Sequence, residues 1–320
     1  MAKETHNHRG GMIVKGTPAS QSLGRRIMKY RAYYLFILPA LIYVLIFNYG
    51  PLYGIQIAFK DYKGALGIAG SRWVGLRHFK SFLTSYNFIK LMKNTFAISI
   101  YQLAVGFPIP IILALMLNEI RFPRYKKAVQ TILYAPHFIS MVVMVGIIIT
   151  MFSPSVGVIN TIRERLGLER VYYMALPSAF RHLYVWSGVW QGMGWSAVIY
   201  ISALSAVDPE LHEAARIDGA SRLQRVLYIN LPTIQPTITI LFIMSVGSLA
   251  SVGYEKIYLL QNDLNVGVSE VISTYVYKRG IQNTSYSFST AVGLFNNVIN
   301  IVLLLGANAI SRRVSQTSLF

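Results

Sequence analysis

The chain reads as an all-α integral membrane protein of six transmembrane helices, and three observations predict it. Of its 320 residues, 54% are hydrophobic and only 13% charged. The mean hydropathy is +0.46, so there is more apolar surface than one soluble core hides. Six long low-charge runs follow one another, at 32–59, 95–117, 129–152, 183–204, 234–254 and 291–310. Each reaches the ~20 residues that a helix needs to cross about 30 Å of hydrocarbon. The runs also lack the polar faces that a soluble helical bundle keeps toward water.

Residues 1–31 form a basic N-terminal tail, of which 1–24 are polar, rich in Gly, Ser and Thr, and expected to be mobile. The stretch from Gly11 to Thr17 has the outline of a phosphate loop but lacks the lysine before the hydroxyl residue, so no nucleotide site is implied. His6 and His8 read as solvated side chains. The first apolar run is too long for a signal-peptide core and has no small-residue cleavage site behind it, so it should remain as an anchor. Pro39 and the Asn48-Tyr49-Gly50-Pro51 stretch predict a kink or interruption near its outer end.

The second run carries Gly106-Phe107-Pro108-Ile109-Pro110. A membrane tolerates such a distortion only where neighbours or water satisfy the freed carbonyls. The third contains Ala135-Pro136. In the fourth, Gly188, Gly192 and Gly194 have the small-residue spacing that lets helix backbones approach closely. A polar loop, 205–232, separates the fourth run from the fifth. In it Asp208 precedes Pro209, an N-cap and first-turn pair, because the carboxylate accepts orphan N–H bonds and proline lacks one. Glu210 and Glu213 suit the positive end of that helix. Gly219 predicts a stop, and Ser221 starts a second short helix with Leu223, Val226, Leu227 and Ile229 at helical spacing. Pro232 is expected to end it.

Orientation follows from lysines and arginines near the runs. Sixteen fall in the tails and the loops on their side, and thirteen in the loops opposite. The bias is small, but the dense basic tail and the short Arg121, Arg124, Lys126, Lys127 loop favour cytoplasmic N- and C-termini. That places 205–232 inside. The outer loops keep +7 after their six acidic residues, mostly from Lys60, Lys63, Arg72, Arg77, Lys80 and Lys90. Such a field attracts an acidic solute or partner, or the residues meet lipid headgroups. There is no cysteine, which removes disulfides and thiolate metal sites. Ionisable residues are nearly absent from the runs, which speaks against an ion-coupled carrier or channel. No His, Asp, Glu or Ser cluster has catalytic spacing, which speaks against an intramembrane enzyme.

The segment 213–232 resembles the EAA loop of membrane subunits of binding-protein-dependent ABC importers, with Glu213, Ala214, Ala215, Gly219, Ile229, Leu231 and Pro232 at the family spacing. Residues 34–40, 48–51, 58–62, 254–260, 273–277 and 310–313 are similar to the sugar and polysaccharide branch, and within it to LplB-type permeases, whose members include a membrane subunit of an alginate importer.

The resemblance implies a type I ABC importer transmembrane domain at 32–311, with a cytoplasmic coupling helix within 205–232 and a short cytoplasmic tail at 312–320. It implies a heterodimer with a second permease, two ATPase subunits that hold ATP and Mg, and an extracytoplasmic solute-binding protein. The chain itself is then a transport subunit without an enzyme activity or cofactor, in the bacterial inner membrane. Glu213 would pair with a basic residue of the ATPase, while Ala214, Ala215, Asp218 and Gly219 leave a low-relief contact. In maltose-type permeases the spans flanking this loop touch sugar. The matching stretches here hold Gly188, Trp190, Gln191, Gly192 and Trp195, then Ser245, Ser248, Ser251 and Tyr254. Aromatic faces stack on sugar C–H patches, and amides and hydroxyls pair with sugar hydroxyls. The asparagine-rich solute stretch of the maltose type is replaced by small residues, which implies a different saccharide. Asn296, Asn297 and Asn300 share roughly one face of the sixth run and either line the path or bond a neighbouring helix.

Overall fold

The computed structural model describes Met28, residues 30–314 and residues 318–320. The expectations for residues 1–27, including His6, His8 and the Gly11–Thr17 stretch, lie outside the described residues. The chain divides into two compact units, one ending at Gly54 and one covering Ile55–Phe320.

In the first unit, α1 (Arg31–Val44) contains Pro39 and buries none of its side chains. Leu35 and Phe36 are among the most exposed. A helix apolar on every side suits lipid rather than water. As expected from Asn48–Pro51, the α-helix gives way there, first to a π turn at Leu45–Tyr49 and then to a 3-10 stretch at Gly50–Phe59. Pro51 has no N–H to continue the α-helical ladder.

The second unit departs from an all-helical reading in one place. Lys60–Asp61 (β1) and Arg72–Trp73 (β2) pair antiparallel, Lys60 opposite Trp73 and Asp61 opposite Arg72. Phe59 stacks on Trp73 at 5.6 Å, which closes this ribbon on an aromatic pair. The helices that follow are α2 (Arg77–Leu83), α3 (Asn87–Gly106), α4 (Pro108–Asn118), α5 (Pro123–Tyr134), α6 (Met141–Met151), α7 (Val158–Arg165) and α8 (Pro177–Leu204). Then come α9 (Pro209–Ile217), α10 (Arg222–Arg225), α11 (Leu231–Val246), α12 (Tyr254–Leu260), α13 (Val266–Ser269), α14 (Ile272–Tyr277) and α15 (Tyr286–Val314).

Among the described residues four helical runs are long and apolar enough to cross a membrane: Arg31–Phe59, Asn87–Asn118, Arg222–Val246 and Tyr286–Arg313. Two of the six expected spans differ from this simple form. The run expected at 129–152 is a pair of helical pieces, Pro123–Phe138 and Met141–Met151, bent by 98°. Its cause is local. Pro136 sits in a 3-10 turn at Ala135–Phe138, and Ser140 then caps α6 afresh by accepting the Val143 N–H. The run expected at 183–204 lies in α8, whose 28 residues are ample for a crossing. Its Gly, Ser, Trp and Gln content leaves it less apolar than the other four.

Two boundaries also move. The fifth run stops at Val246 rather than Tyr254, because the chain turns at 247–250 and extends through 251–253. Pro232 does not end the helix begun at Ser221. A π turn at Val226–Asn230 widens the backbone one turn before the proline, and α10 runs through it into α11.

α8 is the axis of the unit. Its first half joins α3, α6 and α12 in a core of Ile98, Met144, Ile148, Val185, Val189 and Ile257. Its second half packs Ala197, Tyr200 and Leu204 on Ala114 of α4 and Ile234 of α11. A third, aromatic core joins Phe82, Phe88, Tyr275 and Phe295. Between the helices the connections are tied by buried asparagines. Asn265, fully buried, donates to the Leu260 and Met174 carbonyls at 3.0 and 3.2 Å and accepts from the Ser269 hydroxyl at 3.0 Å.

Candidate functional site: a two-helix knuckle and the cavity behind it

The loop between α8 and α11 folds as a self-contained knuckle. Asp208 caps α9, its carboxylate accepting the Glu210 N–H at 2.9 Å. At the other end Gly219 takes a left-handed conformation, φ +79°. The Gly219 N–H donates to Arg216 O at 3.1 Å and the Ala220 N–H to Ala215 O at 2.8 Å, which together make a Schellman stop. Ser221 and Gln224 then form a reciprocal capping box, at 2.7 and 3.3 Å, that starts α10. Every turn of the knuckle is thus closed by its own residues.

Its outer surface is left free. Glu213, Ala214, Asp218 and Gly219 are exposed, and Ala215 is half-buried. The described residues form three ion pairs, and none includes Glu213 or Asp218. Apolar side chains also point outward: Ile217 is 86% exposed, Leu223 67% and Tyr228 77%. Of the remaining expected coupling residues, Ile229 and Leu231 are half-buried at the root of α11, and Pro232 is exposed there.

α8 and α11, the two helices that carry the knuckle, also wall a cavity of about 710 Å³. That is within the size of small-molecule sites, ~300–1,000 Å³. Six of the expected path residues line it: Gly188, Gly192 and Trp195 from α8, with Ser245, Ser248 and Ser251. Ser245 and Ser248 donate to helix carbonyls at 2.7 and 3.0 Å, and Ser251 accepts from Asn300 at 2.6 Å. The hydroxyls that donate keep lone pairs for a ligand donor. Trp195 stacks flat on His137 at 4.6 Å.

The other six expected residues do not line it. Trp190 faces a second, mostly apolar cavity of about 660 Å³ beside Met144 and Trp186. The Gln191 amide donates to Ile139 O at 2.8 Å, holding the bend before α6. Tyr254 stacks on Tyr277 at 5.0 Å. Asn300 accepts the Ala250 N–H at 3.0 Å and so closes the turn after α11. Asn296 is half-buried and Asn297 exposed on α15.

Two contributions were missed in the sequence. Ser99, Gln102, Gly106 and Pro110 form one wall of the cavity from α3 and α4. Their spacing of three and four residues is a readable helical face, masked by the attention the prolines draw. The second is Lys256 of α12, which is only 5% exposed. Its ammonium donates to Tyr184 O at 2.8 Å and lies 4.8 Å from the centre of the Tyr184 ring. Burial pushes its pKa down to about 8.

Comparison with known proteins supports this architecture over nearly the whole length. Residues 106–316 match the family described as binding-protein-dependent transport system inner membrane component. The polygalacturonan/rhamnogalacturonan transport system permease protein YteP of Bacillus subtilis is 41% identical over 92% of this chain and 92% of its own. Protein LplB of the same organism is 42% identical over 90% of each. A chain in the crystal structure of a bacterial alginate ABC transporter, in complex with an alginate pentasaccharide-bound periplasmic protein, superposes with TM-score 0.85 at 41% identity. That match covers 93% of this chain and 100% of the other. With a helical membrane fold, a family model matching about two thirds of its length and these relatives, the chain belongs to the binding-protein-dependent transport system inner membrane components, the permeases of ABC importers.

Proposed function

We propose that this chain is the permease subunit of an ATP-driven importer that takes an acidic oligo- or polysaccharide, of the alginate kind, from an extracytoplasmic solute-binding protein. The observation that carries the reading is the knuckle: a rigidly capped segment that presents Ile217, Leu223 and Tyr228 outward beside an unpaired Glu213. Apolar side chains displayed on a charged loop mark a protein contact. The partner proposed is one of two ATPase subunits, which hold ATP and Mg. A second permease completes a heterodimer. In this reading the bent pair and α8 supply the crossings that make six, 1–31 and 312–320 are cytoplasmic tails, and 32–311 is the permease domain.

The mechanism follows from how the knuckle is mounted. α9 is separated from the end of α8 by Ser205–Asp208 only, and α10 is continuous with α11. Closure of the ATPases would draw the knuckle with them and so turn α8 against α11, whose facing residues wall the cavity. Alternating access then needs no ionisable relay of its own, and the energy comes from the partner. The saccharide assignment is supported by the substrates named for YteP and for the alginate transporter, and by the basic outer loops.

Reconstituting the chain with its genomic neighbours into vesicles tests this. Alginate oligosaccharide should accumulate only with ATP and the solute-binding protein. Accumulation driven by an ion gradient without ATP would instead identify a secondary carrier or channel.

A further inference from the structure

Lys256 stands directly behind the wall of the cavity. Its ammonium has three donors, of which the Tyr184 carbonyl takes one, while the Tyr184 ring offers only its face. None of the three ion pairs among the described residues includes it. Burying a cation without a counter-charge is costly, so a residue of this kind calls for a reason.

The wall itself supplies one. Tyr184, Gly188, Val252 and Gly253 all line the cavity and surround this lysine in space or sequence. At Gly188 an added Cβ would sit 3.2 Å from the Lys256 Nζ. Lys256 itself does not line the cavity, but with no side chain at Gly188 its ammonium packs directly behind a residue that does. The polar groups that line it, such as Ser99, Gln102, Ser245 and Ser248, are uncharged. They can orient a sugar hydroxyl but cannot tell an acid from a neutral sugar.

We propose that Lys256 reads charge in the cavity, its ammonium behind Gly188 attracting a carboxylate of an acidic saccharide in transit. This rests on the cavity being the saccharide path. The contact is built for passage rather than trapping, because the Tyr184 carbonyl already holds the ammonium and competes for it. The titratable groups near it are few. Tyr184 comes from α8, Tyr275 and Tyr277 from α14, and Tyr254, Glu255 and Tyr258 from its own helix, while α6, packed against α12, has none. With a pKa near 8, the lysine loses its charge between pH 7 and 9, and an arginine in its place would not.

The test uses the complete importer with its solute-binding protein in vesicles, with alginate oligosaccharide as probe and uptake per ATP hydrolysed as readout. At pH 7, Lys256→Gln should lower that ratio at least about tenfold, since losing a desolvated charge pair usually costs more than one decade. Lys256→Arg should retain most of it. From pH 7 to 9 the wild type should fall toward the level of Lys256→Gln, while Lys256→Arg stays flat. Gly188→Ala, which sets a methyl group 3.2 Å from the ammonium on its cavity side and keeps the lysine, should lower the ratio as well and carries the test if Lys256→Gln fails to assemble. If the wild type takes up alginate oligosaccharide and Lys256→Gln matches it, the role of Lys256 is overturned and the proposed function stands. If the wild type hydrolyses ATP but takes up no uronate, both fall.

Discussion

Glu213→Lys is expected to leave the permease folded and inserted while reducing ATP-driven uptake at least tenfold. The side chain is exposed and takes part in none of the three ion pairs, so its replacement removes nothing from the chain's own fold. Under the proposed function its cost falls on the contact with the ATPase. Reversing one member of a desolvated charge pair costs about 2–5 kcal/mol, and ~1.4 kcal/mol is already tenfold in occupancy. Gly219→Val should act in the same direction by another route. At φ +79° a β-branched residue is strained by roughly 1–2 kcal/mol, although nothing lies within 4 Å of the added Cβ. The knuckle would relax by reshaping its Schellman stop, which moves the α9 surface relative to α10. Both variants should purify with normal yield but retain less ATPase subunit on washing. Normal uptake in both would remove the knuckle from the mechanism.

Gly194→Val carries the largest expected effect on assembly. A Cβ at Gly194 would lie 2.1 Å from the Leu133 carbonyl oxygen and 2.6 Å from its carbon, which are backbone atoms of α5 and cannot rotate away. Overpacking of this kind costs about 1–3 kcal/mol when side chains can yield, and more where a backbone must move. Separation of α5 from α8 would also disturb the bend that positions α6. Gly192→Ala on the same helix is the control, because its Cβ meets nothing within 4 Å. Thermal melting of the detergent-purified importer should show a drop of several degrees for Gly194→Val and little change for Gly192→Ala. Equal melting of the two would contradict the close approach of α5 and α8.

Much of this was legible in the sequence because it depends on local chemistry. Asp208-Pro209, Gly219 and Ser221 each act within one turn of themselves, and each sits where its capping role places it. Hydrophobic runs marked the long helices for the same reason: length against lipid is a one-dimensional property. The errors came where neighbours decide. Pro232 read as a stop, yet a widened turn just before it absorbs the missing donor and the helix continues. The glycines of α8 read as one close-packed stripe, but each meets something different: Leu133 backbone at Gly194, Lys256 at Gly188 and open space at Gly192. Asn300 read as either a path residue or a bond to a neighbouring segment, and only the fold places its bonds at the turn after α11. Lys256 could not be read as buried at all, because its burial is created by α8 lying across it, and 184 and 256 are far apart in the chain.

The most direct test places one thiol on the knuckle. The chain has no cysteine of its own, so Ala214→Cys gives a single reactive position on an exposed part of α9. In intact cells an impermeant maleimide should fail to label it. In opened membranes the thiol should cross-link to an ATPase subunit, with a yield that changes when nucleotide is added. Labelling from outside, or a cross-link to no ATP hydrolase, would contradict the coupling of this permease to its motor through α9.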